Sequence, residues 1–167
     1  MTAAFVFPGQ GSQAVGMGKA LADNFAAAQA VFEEVDGALS DKLSRVIFEG
    51  PGDTLTLTEN AQPALMAVSL AALRVLETEA GLDLARDAQF VAGHSLGEYS
   101  ALAATRAFTV ADTARLLRTR GRAMQKAVPV GAGAMAALIG VELDAASGIA
   151  AEAAQGQVCQ EIGRAHV

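Results

Sequence analysis

Apolar positions along this chain repeat with two periods, and the switches between them outline its elements. Ala3 to Phe7 is an apolar, partly aromatic run stopped by Pro8, and Gly9-Gln-Gly-Ser-Gln13 cannot continue a strand, so a buried strand entering a loop is predicted. From Lys19 to Leu39, Phe25, Val31, Phe32 and Val35 recur at helical spacing, with Gly37 at the fraying end. Residues 40–60 are polar and predict a connection holding a short helix at most. Pro63 suits the first turn of a second helix that Gly81 ends, with Leu65, Val68, Ala72, Leu73 and Leu76 as its apolar stripe.

Gln89 to Gly93 predicts a short strand running straight into His94-Ser-Leu-Gly97, after which Glu98 to Arg106 reads as helix. Thr109-Val-Ala-Asp112 is a capping box, and Val110, Ala114, Leu117, Gly121, Met124 and Val128 then recur at steps of four and three, predicting a long amphipathic helix. Pro129 and Gly131-Ala-Gly133 break that pattern. Met135 to Val141 is expected to resume as a strand and Leu143 to Ala154 as a helix, so a second unit begins near residue 129. Strands alternating with helices point to an α/β fold, a mostly parallel sheet covered by helices.

Composition narrows the function. Apolar types make up 52% of the 167 residues and charged types 18%, which suits a packed core and excludes disorder. A formal charge of −6 has the wrong sign for a phosphate-backbone binder, so no nucleic-acid partner is expected. Cys159 is the single cysteine, and the two histidines, 65 and 7 residues from it, do not join it in a credible zinc site. The first eight residues have no basic segment, and the longest uncharged run, 127–141, is broken by Pro129, Gly131, Gly133 and Gly140. Neither a signal peptide nor a membrane span is expected, and the chain reads as cytoplasmic.

Several glycine patterns fail closer reading. Gly9-x-Gly11-x-x-Ala14 is preceded by Pro8, and Gly131-x-Gly133-x-x-Ala136 precedes a predicted strand where a dinucleotide fingerprint needs a helix. Gly18-Lys19 lacks a glycine at position 13 and so is no phosphate loop. Gly93-His-Ser-Leu-Gly97 is different, because G-x-S-x-G between a strand and a helix is a nucleophile elbow. The tight turn would expose the Ser95 hydroxyl at a helix N-terminus, where the dipole favours developing negative charge. A serine needs a base. His94, its immediate neighbour, should project its ring elsewhere.

The second informative residue is Arg120. On the long helix Arg115, Arg118, Arg122 and Lys126 fall within about 80° of one another and read most simply as a solvated face, the alternative being a surface that docks an acidic partner, whereas Arg120 lies about 140° from Arg115, beside Leu117, Gly121 and Met124. An arginine aimed into an apolar stripe must snorkel out, pair with an internal carboxylate, or clamp a substrate carboxylate.

Phe5-Val-Phe-Pro-Gly-Gln-Gly-Ser-Gln13, Thr58-Glu-Asn-Ala-Gln-Pro-Ala-Leu65, Gly93-His-Ser-Leu-Gly-Glu-Tyr-Ser-Ala101 and Gly121-Arg-Ala-Met-Gln125, in this order, resemble the malonyl-CoA:acyl carrier protein transacylase family. The resemblance implies a hydrolase-like parallel α/β subdomain over residues 1–128 and the start of a small ferredoxin-like subdomain over 129–160, while 161–167 is expected to be a non-native tail. One codon choice for that heptapeptide spells a sequencing adapter.

The resemblance also implies roles. Ser95 is the acyl-accepting nucleophile, Gln10 and the Leu96 backbone N–H form the oxyanion hole, Arg120 binds the free malonyl carboxylate, Gln62 lines the pocket and His94 stands beside the serine. Malonyl-CoA and acyl carrier protein are the implied partners, with no metal or redox cofactor required. The family's catalytic histidine lies downstream of this chain's end, so the chain reads as an N-terminal fragment, poorly active by itself. Two competing readings are an esterase or thioesterase using Ser95, Asp144 and His166, which leaves Arg120 without a task, and a catalytically silent carrier-docking fragment.

Overall fold

The computed structural model describes residues 3–128, 131–136 and 138–161. The chain divides into two compact units, 1–129 and 130–167. In the first, β1 (Ala3–Phe7) pairs in parallel with β2 (Ala88–Gly93), in register Phe5↔Val91 and Phe7↔Gly93. Helices α1 (Lys19–Asn24), α2 (Ala26–Leu39), α3 (Leu43–Glu49), α4 (Gly52–Thr56), α5 (Thr58–Glu79) and α6 (Leu84–Asp87) make the crossover between the strands. After β2 come α7 (Leu96–Ala104) and α8 (Val110–Ala127). This is a mixed α/β fold, helices over a small parallel sheet.

β1 is half-buried, which corrects the expectation of a buried strand. Phe5 and Phe7 turn toward the helices while Val6 and, on β2, Phe90 stay exposed. The helix expected over 19–39 is two helices. The Asn24 side-chain amide donates to the Ala20 carbonyl at 2.8 Å, offering the backbone a local alternative, and Phe25 takes an extended conformation at the break. Residues 40–60 are more ordered than their polarity suggested, because Leu43, Ile47 and Leu55 are buried and anchor α3 and α4.

Helix α5 is the centre of the unit, packing against α2, α7 and α8. Over Asn60–Ala67 it is buried on every side, so its apolar pattern is wider than one stripe, whereas Leu76 farther along is exposed. It begins at Thr58, five residues before Pro63, so Pro63 sits inside the helix and leaves the Glu59 carbonyl without its usual amide partner. At the far end Gly81 takes a left-handed φ of +64° while the Ala80 and Leu82 amides both donate to the Leu76 carbonyl.

Helix α8 crosses α5 where Gly121 lies against the Thr58 and Glu59 backbone; a Cβ there would come within 2.5 Å of Glu59 Cα. Thr109 caps its start as expected, Oγ1 accepting from the Asp112 amide at 3.0 Å, while the Asp112 carboxylate accepts from the Thr109 hydroxyl at 2.8 Å.

In the second unit, α9 (Leu143–Ala154) forms as expected. The described residues of 135–141 are not a strand, which corrects that expectation; the run follows Gly131 and Gly133, contains Gly140, and finds no partner strand among the described residues. Residue 137 and the tail from 162 to 167, His166 included, lie outside the described residues. Among the described residues no helix is long and apolar enough to cross a membrane.

Two substitutions check this packing in urea unfolding of the chain. Gly121→Ala should destabilise it by about 1–3 kcal/mol through overpacking at the crossing, although Ala is the better helix former; a stabilised variant would contradict the close approach. Thr109→Ala should cost about 1 kcal/mol and Thr109→Ser almost nothing, and equal losses from both would count against the cap.

Candidate active site

The strand-to-helix turn is built from glycines that admit nothing larger. A Cβ on Gly93 would collide with the Gly97 backbone, and one on Gly97 with the Phe7 carbonyl, so β1, β2 and the start of α7 meet at backbone distance. The His94 amide donates to the Phe7 carbonyl at 3.1 Å, extending the pairing one residue beyond the strand. Ser95 then takes φ 56° and ψ −112°, a conformation costly for a non-glycine residue, and is exposed at the N-cap of α7. Leu96 begins the helix, so its N–H has no carbonyl within α7 to bond.

The His94 ring packs against Gly9, where an added Cβ would lie 2.5 Å from Nδ1. Gln10 is exposed in the loop after β1, and its Nε2 donates to Thr58 Oγ1 at 3.3 Å, which leaves a second N–H on the same nitrogen.

Arg120 reaches this turn from α8. Its Nη2 donates to Ser95 Oγ at 2.9 Å and its Nη1 to Gln62 Oε1 at 2.5 Å. Its guanidinium carbon stands 5.9 Å from the centre of the Tyr99 ring, within cation–π range. Gln62 is fully buried on α5, and its Nε2 donates to Met124 Sδ at 3.4 Å, which fixes its orientation so that the oxygen faces Arg120. The arginine on the apolar stripe therefore does not snorkel away, and among the described residues it meets no carboxylate. Its partners are an amide oxygen and the elbow hydroxyl.

Among the described residues Ser95 Oγ hydrogen-bonds to Arg120 and to no imidazole or carboxylate. A guanidinium cannot serve as the base. Asp144 lies exposed in the first turn of α9, and the other member of the esterase alternative, His166, is outside the described residues. No group of three or more metal-binding side chains occurs among the described residues.

The solvated-face reading of α8 needs correction. Arg118 is 7% exposed; its Nη1 donates to Asn60 Oδ1 at 2.5 Å and its Nη2 to Asp41 Oδ2 at 3.1 Å. Burial pulls its pKa below the usual guanidinium value, opposed by the charge of Asp41. It lies at the edge of the basic arc, next to the buried positions Ala114 and Gly121, so a small rotation from the ideal wheel turns it inward. Arg115 and Arg122 are exposed, with Arg122 paired to Glu59 at 2.9 Å. The sequence motifs contain Thr58 and Tyr99, and the helical wheel sets Met124 beside Arg120, but sequence reasoning assigns none of them a role at the site. Tyr99 stands four residues after Ser95, one helical turn on, inside the same Gly93–Ala101 motif.

In brief, Ser95, Arg120 and Gln62 come together, Gln10 stands in the adjoining loop, and His94 turns against Gly9. Residues 4–160 match the family described as acyl transferase domain. The chain is 51% identical over 142 residues to the malonyl CoA-acyl carrier protein transacylase of Bacillus subtilis (strain 168), covering 85% of this chain and 43% of that protein. It is 43% identical over 159 residues to the transacylase of the same name from Escherichia coli (strain K12), covering 95% and 50%. Among solved structures it superposes on the acyl-carrier-protein-S-malonyltransferase of Bartonella henselae with a TM-score of 0.89 at 62% identity, covering 96% of this chain and 51% of that one. A type II polyketide acyl carrier protein in complex with its malonyl-transacylase gives 0.84 at 40% identity, covering 95% and 50%. The chain thus spans about half the length of these relatives, with the elbow serine and the arginine that meets it inside the shared half. With the match running over nearly all of its length, the chain belongs to the acyl transferase domain family.

Proposed function

We propose that this chain is the N-terminal half of an enzyme that moves a malonyl group from coenzyme A to the pantetheine thiol of acyl carrier protein, in fatty-acid biosynthesis. The observation that carries this reading is the 2.9 Å contact between Arg120 Nη2 and Ser95 Oγ. Malonyl places its carboxylate one carbon from the acyl carbonyl. An acyl ester on Ser95 therefore carries its negative charge within reach of a guanidinium that already touches the nucleophile.

In the first half-reaction Ser95 Oγ attacks the thioester carbonyl while its proton passes to a base. The Leu96 N–H and the second Gln10 N–H receive the oxyanion, and its collapse expels coenzyme A as the thiol, leaving malonyl-Ser95. In the second, the carrier's pantetheine thiol attacks that ester, the same donors hold the oxyanion, and Ser95 recovers its proton. Throughout, Arg120 exchanges Ser95 for the malonyl carboxylate, held in place by Gln62 and the Tyr99 face. The resemblance puts the base, a histidine, in the half that this chain does not include.

The same reading takes residues 1–128 as part of a hydrolase-like subdomain, 129–160 as the start of a ferredoxin-like one, and 161–167 as non-native. It places the enzyme in the cytoplasm. It is favoured over an esterase because an esterase acting on neutral substrates has no use for a cation touching its nucleophile.

Two outcomes test it. In a complete enzyme, residues 1–160 continued by the C-terminal half of the Bartonella relative, Arg120→Ala should lower kcat/KM for malonyl-CoA about 100-fold or more, yet change that for acetyl-CoA far less. Equal losses on both donors would refute the clamp. The 167-residue chain by itself should transfer malonyl at least about 1,000-fold more slowly than that enzyme, since it lacks the base; comparable rates would overturn the fragment reading.

A further inference from the structure

Arg118 and Arg120 form two rungs between the same pair of helices. Arg118 donates to Asn60 and Arg120 to Gln62, so residues two apart on α8 grip residues two apart on α5. Two residues on a helix are separated by about 200°, which puts the two arginines on opposite edges of the buried stripe of α8. Between them, Gly121 rests on the Thr58–Glu59 backbone. A helix seated on one backbone contact can still roll about its axis. Two rungs on either side of the seat fix that roll.

The outer rung is itself anchored. Asn60 is 8% exposed and its Nδ2 donates to the Thr54 carbonyl at 2.8 Å, which orients Oδ1 toward Arg118. Asp41, in the turn after α2, takes the other guanidinium nitrogen at 3.1 Å and also accepts from the Lys42 amide at 2.8 Å. Four segments are therefore tied through one guanidinium: α4, α5, α8 and the turn after α2. Buried charges of this kind add little net stability over well-packed apolar side chains. What the hydrogen-bonded charge adds is direction.

We infer that Arg118, through Asn60 and Asp41, is a positioning residue that sets the roll of α8 and so holds the Arg120 guanidinium at Ser95, tuning selection for carboxylate-bearing acyl groups that Arg118 never touches. Side-chain tips lie about 5–6 Å from a helix axis, so a roll of about 10° moves the Arg120 head by about 1 Å. Displacements of that size at a reacting centre cost up to about 100-fold in rate. The inference rests on the transacylase reading of Ser95 and Arg120.

The test uses the complete enzyme described above, with malonyl-CoA and acetyl-CoA as donors. Arg118→Met should lower the malonyl-to-acetyl ratio of kcat/KM at least about 10-fold, and Arg118→Lys should restore part of it. Asp41→Asn, at a half-exposed side chain that folding tolerates, should lower the ratio about 2–5-fold and carries the test if Arg118→Met does not fold. In an Arg120→Ala background, Arg118→Met should change malonyl transfer less than about 2-fold further, since the group it positions is gone. Equal loss on both donors, or additive losses in the double variant, would show a purely structural role and overturn the inference while leaving the transacylase reading intact. A parent enzyme that transfers no malonyl would overturn the proposed function and this inference with it.

Discussion

A guanidinium placed on an apolar helix stripe must find acceptors, and the organisation of this chain follows from where Arg120 finds them. One is the buried oxygen of Gln62, held by the α5 core; the other is the hydroxyl of Ser95, presented by the strand-to-helix turn. The core helix and the elbow are separate pieces of the fold, assembled through different contacts. Arg120 hydrogen-bonds to both, so the position of the charge depends on both at once.

Close backbone approach makes that join possible. Gly93 and Gly97 let β1, β2 and α7 meet with no side chain between them, and Gly121 does the same for α8 on α5. Pro63 removes the usual amide partner of the Glu59 carbonyl beside that crossing, and Arg122 ties α8 to α5 from outside by pairing with the Glu59 carboxylate. The strain at Ser95 is held by this packing.

Much of this was legible before any coordinates. Strand-elbow-helix order, the Thr109 cap, the long α8 and the outlying position of Arg120 all follow from local pattern, because each is decided by residues near one another in sequence. What was misread depended on partners far away. Asn24 ended a helix by folding back on Ala20, the polar stretch 40–60 ordered around Leu43, Ile47 and Leu55, and Arg118 left the solvated face to meet Asn60 and Asp41. A helical wheel places a residue to within tens of degrees, which cannot separate the last exposed position from the first buried one. Tyr99 and Met124 carry no legible role in the sequence for a related reason, since ordinary core-type residues become part of a site only through what they face.

The most direct measurement is a crystal structure of the complete enzyme after reaction with malonyl-CoA. The account predicts an ester on Ser95 Oγ, with the malonyl carboxylate bridging both terminal nitrogens of Arg120 and Gln62 still in contact with that guanidinium. A malonyl group on another residue, or one on Ser95 with its carboxylate turned to solvent and Arg120 unmoved, would contradict it.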